Sequence, residues 1–155
     1  MTVLENSIRI DAPPEKVWAA LTSLDALQNY DPGVIRSEII SPAREGVGAA
    51  RECDLAAGGS FRERVAEWKP YEALAFELFE CTLPVNELRH RYTFAVEEGG
   101  TRVHQRMEYD LKMGVFGKIM DALVVRRRWD AGIKGFFSGL KRYVEAGGAP
   151  PAKAA

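Results

Sequence analysis

Four side chains in this sequence have the chemistry to hold charge or move a proton inside an apolar setting: Arg51, Glu63, His90 and Tyr92. His90 is the member whose side-chain type can act as acid or base near neutrality. It could bind or protonate a ligand carbonyl, or be a core histidine satisfied by a tyrosine or a backbone group. Tyr92 carries a hydroxyl on an otherwise apolar ring, so it can pack and still reach a polar partner. Glu63 lies between Phe61 and Val65 at strand spacing, and Arg51 shares strand parity with Cys53 and Leu55. Turned inward together they would pair, because an unpaired buried charge is costly. The opposite parity, with Arg62, Arg64 and Trp68 inward and Glu63 in water, is equally open. No two of these residues form a spacing diagnostic of catalysis.

Other chemistries are excluded more firmly. Cys53 and Cys81 lie far apart without a CxxC pattern, and His90 and His104 do not have zinc-ligand spacing, so no metal is expected. Gly46-Val47-Gly48-Ala49-Ala50-Arg51 lacks the third glycine of a dinucleotide fingerprint and precedes a strand. There is no phosphate-binding loop motif and no GxSxG elbow. No cofactor is expected.

The elements that must position the four residues are punctuated by turn chemistry. Leu4, Ile8 and Ile10 alternate as a half-buried strand, interrupted at Asn6. Pro14 then suits the first turn of a helix, Glu15 complements its dipole, and Val17, Leu21 and Leu24 follow at helical spacing. Residues 24–30 can make a second short helix before Asp31-Pro32-Gly33. Strands are expected over 35–41, 50–56, 61–68, 74–80, 87–97 and 101–112, separated by glycine and proline clusters, which is the pattern of an antiparallel meander.

Strand parity sorts these side chains. Leu78, His90, Tyr92, Phe94, Gln105, Met107 and Tyr109 fall on one inner, largely apolar face with a few polar groups. From residue 115 to 145 the period changes from two to that of a helix, and Phe116, Met120, Leu123, Ile133, Phe137, Leu140 and Val144 form a single stripe. Leu123 and Phe137 therefore join the expected ligand-binding set. Arg127 and Asp130 come closest to continuing the stripe, and an Arg126–Asp130 surface pair is the simpler role for that aspartate. Gly132, Gly135 and Gly139 sit on nearby turns of the same helix. Each costs about 1 kcal/mol relative to alanine, so each marks either a close approach or room for a ligand.

Length and charge bound the rest. The 155 residues, 46% hydrophobic and 28% charged, suit one soluble domain, expected over 1–146 with a flexible tail over 147–155. The start is polar and strand-like, without a signal-peptide pattern, and a cytoplasmic location is expected. The net charge of −1 is unevenly spread: residues 1–111 carry 12 basic and 19 acidic side chains, whereas residues 112–145 carry 8 and 3. The expected role of that basic helix is solvation, with contact to an anionic membrane as the competing reading; no stable membrane insertion is expected. An acidic chain without a recognition motif is not expected to bind nucleic acid, and a homodimer is compatible with the sequence.

Several phrases resemble one family. They are Ser7-Ile8-Arg9-Ile10-Asp11-Ala12-Pro13-Pro14-Glu15-Lys16-Val17-Trp18, Tyr30-Asp31-Pro32-Gly33-Val34, Phe61-Arg62-Glu63-Arg64-Val65, Trp68-Lys69-Pro70-Tyr71-Glu72-Ala73-Leu74 and Gly139-Leu140-Lys141-Arg142-Tyr143-Val144-Glu145. Their order resembles the START-like superfamily, which includes birch-pollen-allergen-like proteins and polyketide cyclase/dehydrase domains. The resemblance implies an α+β helix-grip fold: a curved seven-stranded antiparallel sheet around a long C-terminal helix, with two short helices after the first strand. It also implies a cavity for a lipid, polyketide or aromatic metabolite, and a glutamate near the position of Glu63. Binding of such a molecule is the expected function. A polyketide cyclase or dehydratase, and an interaction module with a filled core, are the alternatives.

Overall fold

Glycine and proline clusters separate seven strands in the computed structural model, which describes residues 1–148. In chain order these are β1 (Thr2–Ile10), helix α1 (Pro14–Thr22), a 3-10 turn (Leu27–Asn29), β2 (Val34–Ile39), β3 (Ala50–Leu55), β4 (Ser60–Lys69), β5 (Ala73–Cys81), β6 (Val85–Glu97) and β7 (Gly100–Leu111). A final helical rod follows: α2 (Gly114–Met120), a π turn (Asp121–Val125) and α3 (Arg126–Glu145). The junction residues keep right-handed helical angles, so the rod is continuous. The second short helix expected after α1 is present as the 3-10 turn Leu27–Asn29. The helix ends where Gly147 and Gly148 adopt positive φ; the rest of the expected tail, 149–155, lies outside the described residues.

The sheet order is β1-β7-β6-β5-β4-β3-β2, with every neighbouring pair antiparallel. Only one connection is not a hairpin. The segment holding α1 and the 3-10 turn carries the chain from one sheet edge to the other. The resulting helix-grip fold closes the concave face of the sheet with α3.

Two register shifts in the β4–β5 pair decide what that face displays. A β-bulge adds a residue to one strand and resets side-chain parity beyond it. The shift between Val65 and Glu67 therefore lets Glu63, Val65 and Trp68 all turn inward, although strict alternation would place Trp68 opposite Glu63. The two parities that the sequence left open coexist on one strand.

α3 buries Ile133, Phe136, Phe137, Leu140 and Val144 against the sheet. A fully buried leucine such as Leu140 contributes about 2 kcal/mol relative to exposure. Trp18 of α1 meets Trp68 and Phe94 edge-on, with ring centroids 5.2 and 5.7 Å away, and plugs one end of the core. Asn6, the polar interruption in β1, donates from its amide to Asp130 Oδ1 at 2.9 Å, tying the edge strand to α3. Asp130 also pairs with Lys134 at 2.7 Å; it does not pair with Arg126, which lies instead 3.9 Å from Asp121.

The first half of the rod departs from the single stripe expected of it. Phe116, Met120 and Leu123 are exposed, not buried. The π turn inserts a residue into the helix and shifts the phase of everything beyond it by about 100°. Residues that look collinear in sequence thus leave the common stripe. Asp121 on that turn is buried and satisfied: Tyr109 donates to its Oδ1, and Thr2 Oγ1 donates to its Oδ2 at 2.5 Å.

Candidate functional site

Three charged or titratable side chains from three different strands meet on the concave face. Arg51 of β3 donates from Nε and Nη2 to the same oxygen of Glu63, Oε1, at 2.8 and 2.6 Å. The other oxygen, Oε2, lies 2.8 Å from Nε2 of His90 on β6. All three are buried, with 4%, 2% and 8% of their surfaces exposed. The pairing Arg51↔Glu63 across β3 and β4 is direct, and Phe76↔His90 across β5 and β6 brings the imidazole alongside. Phe76 forms the floor. Its ring stacks on His90 at 5.2 Å and lies 4.8 Å beneath the Arg51 guanidinium.

Electrostatics keep the Arg51–Glu63 pair charged. Burial pushes the Glu63 carboxyl up, but the Arg51 charge and the hydrogen bonds from His90 and Arg51 outweigh it and hold the group below the usual glutamate range. Burial works against the Arg51 cation, and the Glu63 carboxylate more than compensates. With Glu63 ionised, its Oε2 must accept, so Nε2 of His90 carries the proton in that bond. Nδ1 of His90 and Nη1 of Arg51 are buried without a hydrogen-bond partner in the protein. Gln105 donates from Nε2 to the Tyr92 hydroxyl at 2.9 Å, and its own Oε1 is likewise unpartnered. Burial, then the charge of Glu63, pushes the Tyr92 phenol up, so it stays a neutral donor. The Cys53 thiol is pushed up to about 12 by burial and is not a nucleophile.

These residues stand on the wall of a cavity of about 720 Å³ between sheet and helix. That volume lies in the range of small-molecule sites, and the remaining wall is mostly apolar, including Leu27, Phe61, Leu88, Trp129 and Phe136. The interior is therefore not filled, contrary to the interaction-module alternative. Gly33, the turn Ala56-Ala57-Gly58, Leu83 and helix residues Val124, Arg128 and Gly132 also contribute to the wall.

The residues singled out from the sequence divide into two groups. Arg51, Glu63, Leu78, His90, Tyr92, Gln105 and Met107 border the cavity. Phe94, Tyr109, Leu123 and Phe137 do not. Phe94 packs on Trp18; Tyr109 is bound to Asp121 with its ring 4.5 Å from that of Trp129; Phe137 is sealed in the core. Leu123 points to solvent, 65% exposed, because of the phase shift at the π turn. Neither Arg127 nor Asp130 reaches the wall; Arg128 and Trp129 take that place.

Sequence reasoning missed Asp31, Trp129 and Phe136. Asp31 accepts the Gly33 amide at 2.8 Å in the loop before β2, and burial raises its carboxyl above the ordinary value. The Asp-Pro-Gly signal marked the turn there but not its position on the cavity wall. Among the glycines, Gly139 and Gly132 have different reasons. A Cβ on Gly139 would stand 1.8 Å from the Tyr30 carbonyl oxygen, whereas one on Gly132 would meet nothing within 4 Å. One permits close packing, and the other leaves space at the cavity wall. Among the described residues no three His, Cys, Asp or Glu side chains gather to hold a metal ion.

A helix-grip domain with a mostly apolar interior cavity and a buried charged cluster is the class that fold and site define. The chain belongs to the family described as polyketide cyclase/dehydrase and lipid transport, whose model matches residues 1–145. Its fold is similar to that of TTHA0849 from Thermus thermophilus, with a TM-score of 0.81 and 24% identity over 96% of this chain and 100% of that one. It is also similar to the Zhui aromatase/cyclase from Streptomyces sp. R1128, with a TM-score of 0.74 and 16% identity over 96% and 98%. A third likeness is CV1439 from Chromobacterium violaceum, with a TM-score of 0.70 and 21% identity over 92% and 96%. No curated protein matches the sequence.

Proposed function

We propose that this protein binds an apolar or amphipathic small molecule, of the lipid, polyketide or aromatic-metabolite class, in the cavity between sheet and helix. The observation that carries the reading is the combination of an apolar wall with Arg51, His90 and Gln105, each holding a buried polar atom that the protein leaves unpartnered. Such atoms are costly unless something satisfies them. A hydroxyl-bearing end of a ligand would do so for two of them, accepting from Arg51 Nη1 and donating to His90 Nδ1, while its apolar body fills the rest. The family's description supports the same class of ligand.

Native mass spectrometry of protein purified from its own cells, followed by solvent extraction, tests this. A bound small molecule with an oxygen function and an apolar body is the expected result. Protein that carries none, and takes up none from a total extract of those cells, would contradict the reading.

A second reading is cyclase or dehydratase chemistry on a poly-β-ketone. It is favoured by the 2.8 Å Glu63–His90 contact inside the cavity, an arrangement in which one group orients the base, and by the likeness to an aromatase/cyclase. His90 would take a proton at Nδ1 from a carbon between two carbonyls. The resulting enolate carbon would attack a ketone carbon of the same chain, with Tyr92 and Arg51 stabilising the oxygens. The protonated imidazole would return its proton to the new alkoxide, giving a hydroxyl. In a second round Nδ1 would take the remaining proton from the attacking carbon and deliver it to that hydroxyl as the C–O bond breaks, releasing water and leaving a C=C bond. His90→Gln separates the readings: affinity within about tenfold of wild type with no change in product marks a binding role, whereas loss of turnover marks an acid–base role.

A further inference from the structure

The outward face of α2 and the π turn carries an apolar surface that the fold does not use. Phe116, Ile119, Met120 and Leu123 recur at i, i+3, i+4 and i+7, which places them on one face of a helix. With Val115 and Val124 they are between 39% and 74% exposed. This is the reverse of α3, whose apolar residues face the sheet. Scattered exposed hydrophobics need no explanation, but a contiguous apolar helix face marks an interaction surface.

The charges around it identify the partner. Most arginines on the outer face of the sheet are tied into ion pairs, such as Arg64 with Glu77 and Arg91 with Glu67. Among the described residues, six basic side chains lack a carboxylate within 4.0 Å. Four of them, Lys112, Lys118, Arg127 and Arg128, lie within residues 112–128, and the other two are Lys16 and Arg142. The one acid of that segment, Asp121, is turned inward and bonded to Tyr109 and Thr2. A second copy of the chain docking by this face would bring two positive rims together. An anionic lipid leaflet matches both features.

We infer that the outward face of α2 and the π turn docks reversibly on anionic membranes. The apolar side chains enter the headgroup boundary and the surrounding cations meet lipid phosphates and carboxylates. No helix of the described residues is long and apolar enough to cross a membrane, so the helix lies along the surface. Val124 and Arg128 belong to both this face and the cavity wall, so docking sets the edge of the cavity beside the leaflet. The inference stands on the helix surface alone and does not depend on what the cavity holds.

Co-sedimentation of the full chain with phosphatidylcholine vesicles, with and without phosphatidylserine, at low and high salt, tests it. Two variants accompany the wild type, Phe116→Ser/Leu123→Ser and Lys118→Glu/Arg127→Glu. All four side chains are exposed, and unchanged thermal midpoints confirm folding. Binding is expected only with phosphatidylserine and is expected to fall with salt. Each basic residue near an acidic leaflet contributes roughly a fivefold gain in partitioning, so the charge variant should lose at least about twentyfold. The apolar variant should lose on the order of tenfold or more. Failure to sediment at low salt would overturn the inference, as would equal binding by wild type and both variants. A concentration-dependent dimer that Phe116→Ser/Leu123→Ser dissociates, with vesicle binding untouched, would assign the face to a second copy and overturn it equally.

Discussion

Arg51 and Glu63 face each other directly across β3 and β4, and both nitrogens that Arg51 offers converge on one carboxylate oxygen, at 2.8 and 2.6 Å. That convergence leaves Oε2 free for His90 and Nη1 of Arg51 without a protein partner. A pair arranged only for stability would use both oxygens in a fork. Here the geometry joins a third group and keeps a donor in reserve.

Breaking the cluster from one side should be far more damaging than removing it whole. Glu63→Leu strands the Arg51 cation and is expected to cost about 3–5 kcal/mol, whereas Arg51→Leu/Glu63→Leu together should cost much less or nothing. Urea unfolding of the two single variants and the double variant gives the comparison. A double variant as unstable as the sum of the singles would show that the two residues do not couple and would contradict this reading.

Asp31 sets a pH dependence of the opposite sign from an ordinary salt-bridged carboxylate. Burial raises its carboxyl in the folded state. The folded protein therefore binds more protons than the unfolded chain between the unfolded value, about 3.9, and the raised one. Stability attributable to this group falls as pH rises through that window, and the loss is complete above the raised value. Asp31→Asn keeps an oxygen for the Gly33 amide and should raise the thermal midpoint at pH 7. The difference from wild type should close at acidic pH. A variant less stable at pH 7 would contradict this sign.

The two helix glycines give a paired prediction. Gly139→Ala pushes a Cβ into the Tyr30 carbonyl, a backbone atom that cannot swing aside, and should cost about 2–3 kcal/mol or more. Gly132→Ala meets nothing within 4 Å and should stabilise by about 0.5–1 kcal/mol through helix propensity. Chemical denaturation of both resolves the signs. Equal effects would contradict the different roles assigned to them.

The order of elements along the chain, the long helix and the inward set Leu78, His90, Tyr92, Gln105 and Met107 were legible because strand parity and helical period are local properties of the sequence. The inward turn of Trp68 on the strand that also buries Glu63 was not, since it depends on a bulge that no turn residue announces. Leu123 was misplaced for a related reason. The π turn shifts the helical phase without a glycine or proline to mark it. Asp31 and Phe136 reach the wall only through the packing of a loop and α3, which is a long-range relation.

The central claim is a cavity that accepts an apolar body and an oxygen at its charged end. Calorimetric titration with 2-naphthol and with naphthalene, two flat probes that differ by one hydroxyl, tests it most directly. The account predicts saturable one-to-one binding of both, with 2-naphthol tighter by roughly tenfold or more, because hydrogen bonds to charged groups contribute about 1.5–3 kcal/mol. Equal affinities for the two probes, or no saturable binding of either, would contradict it.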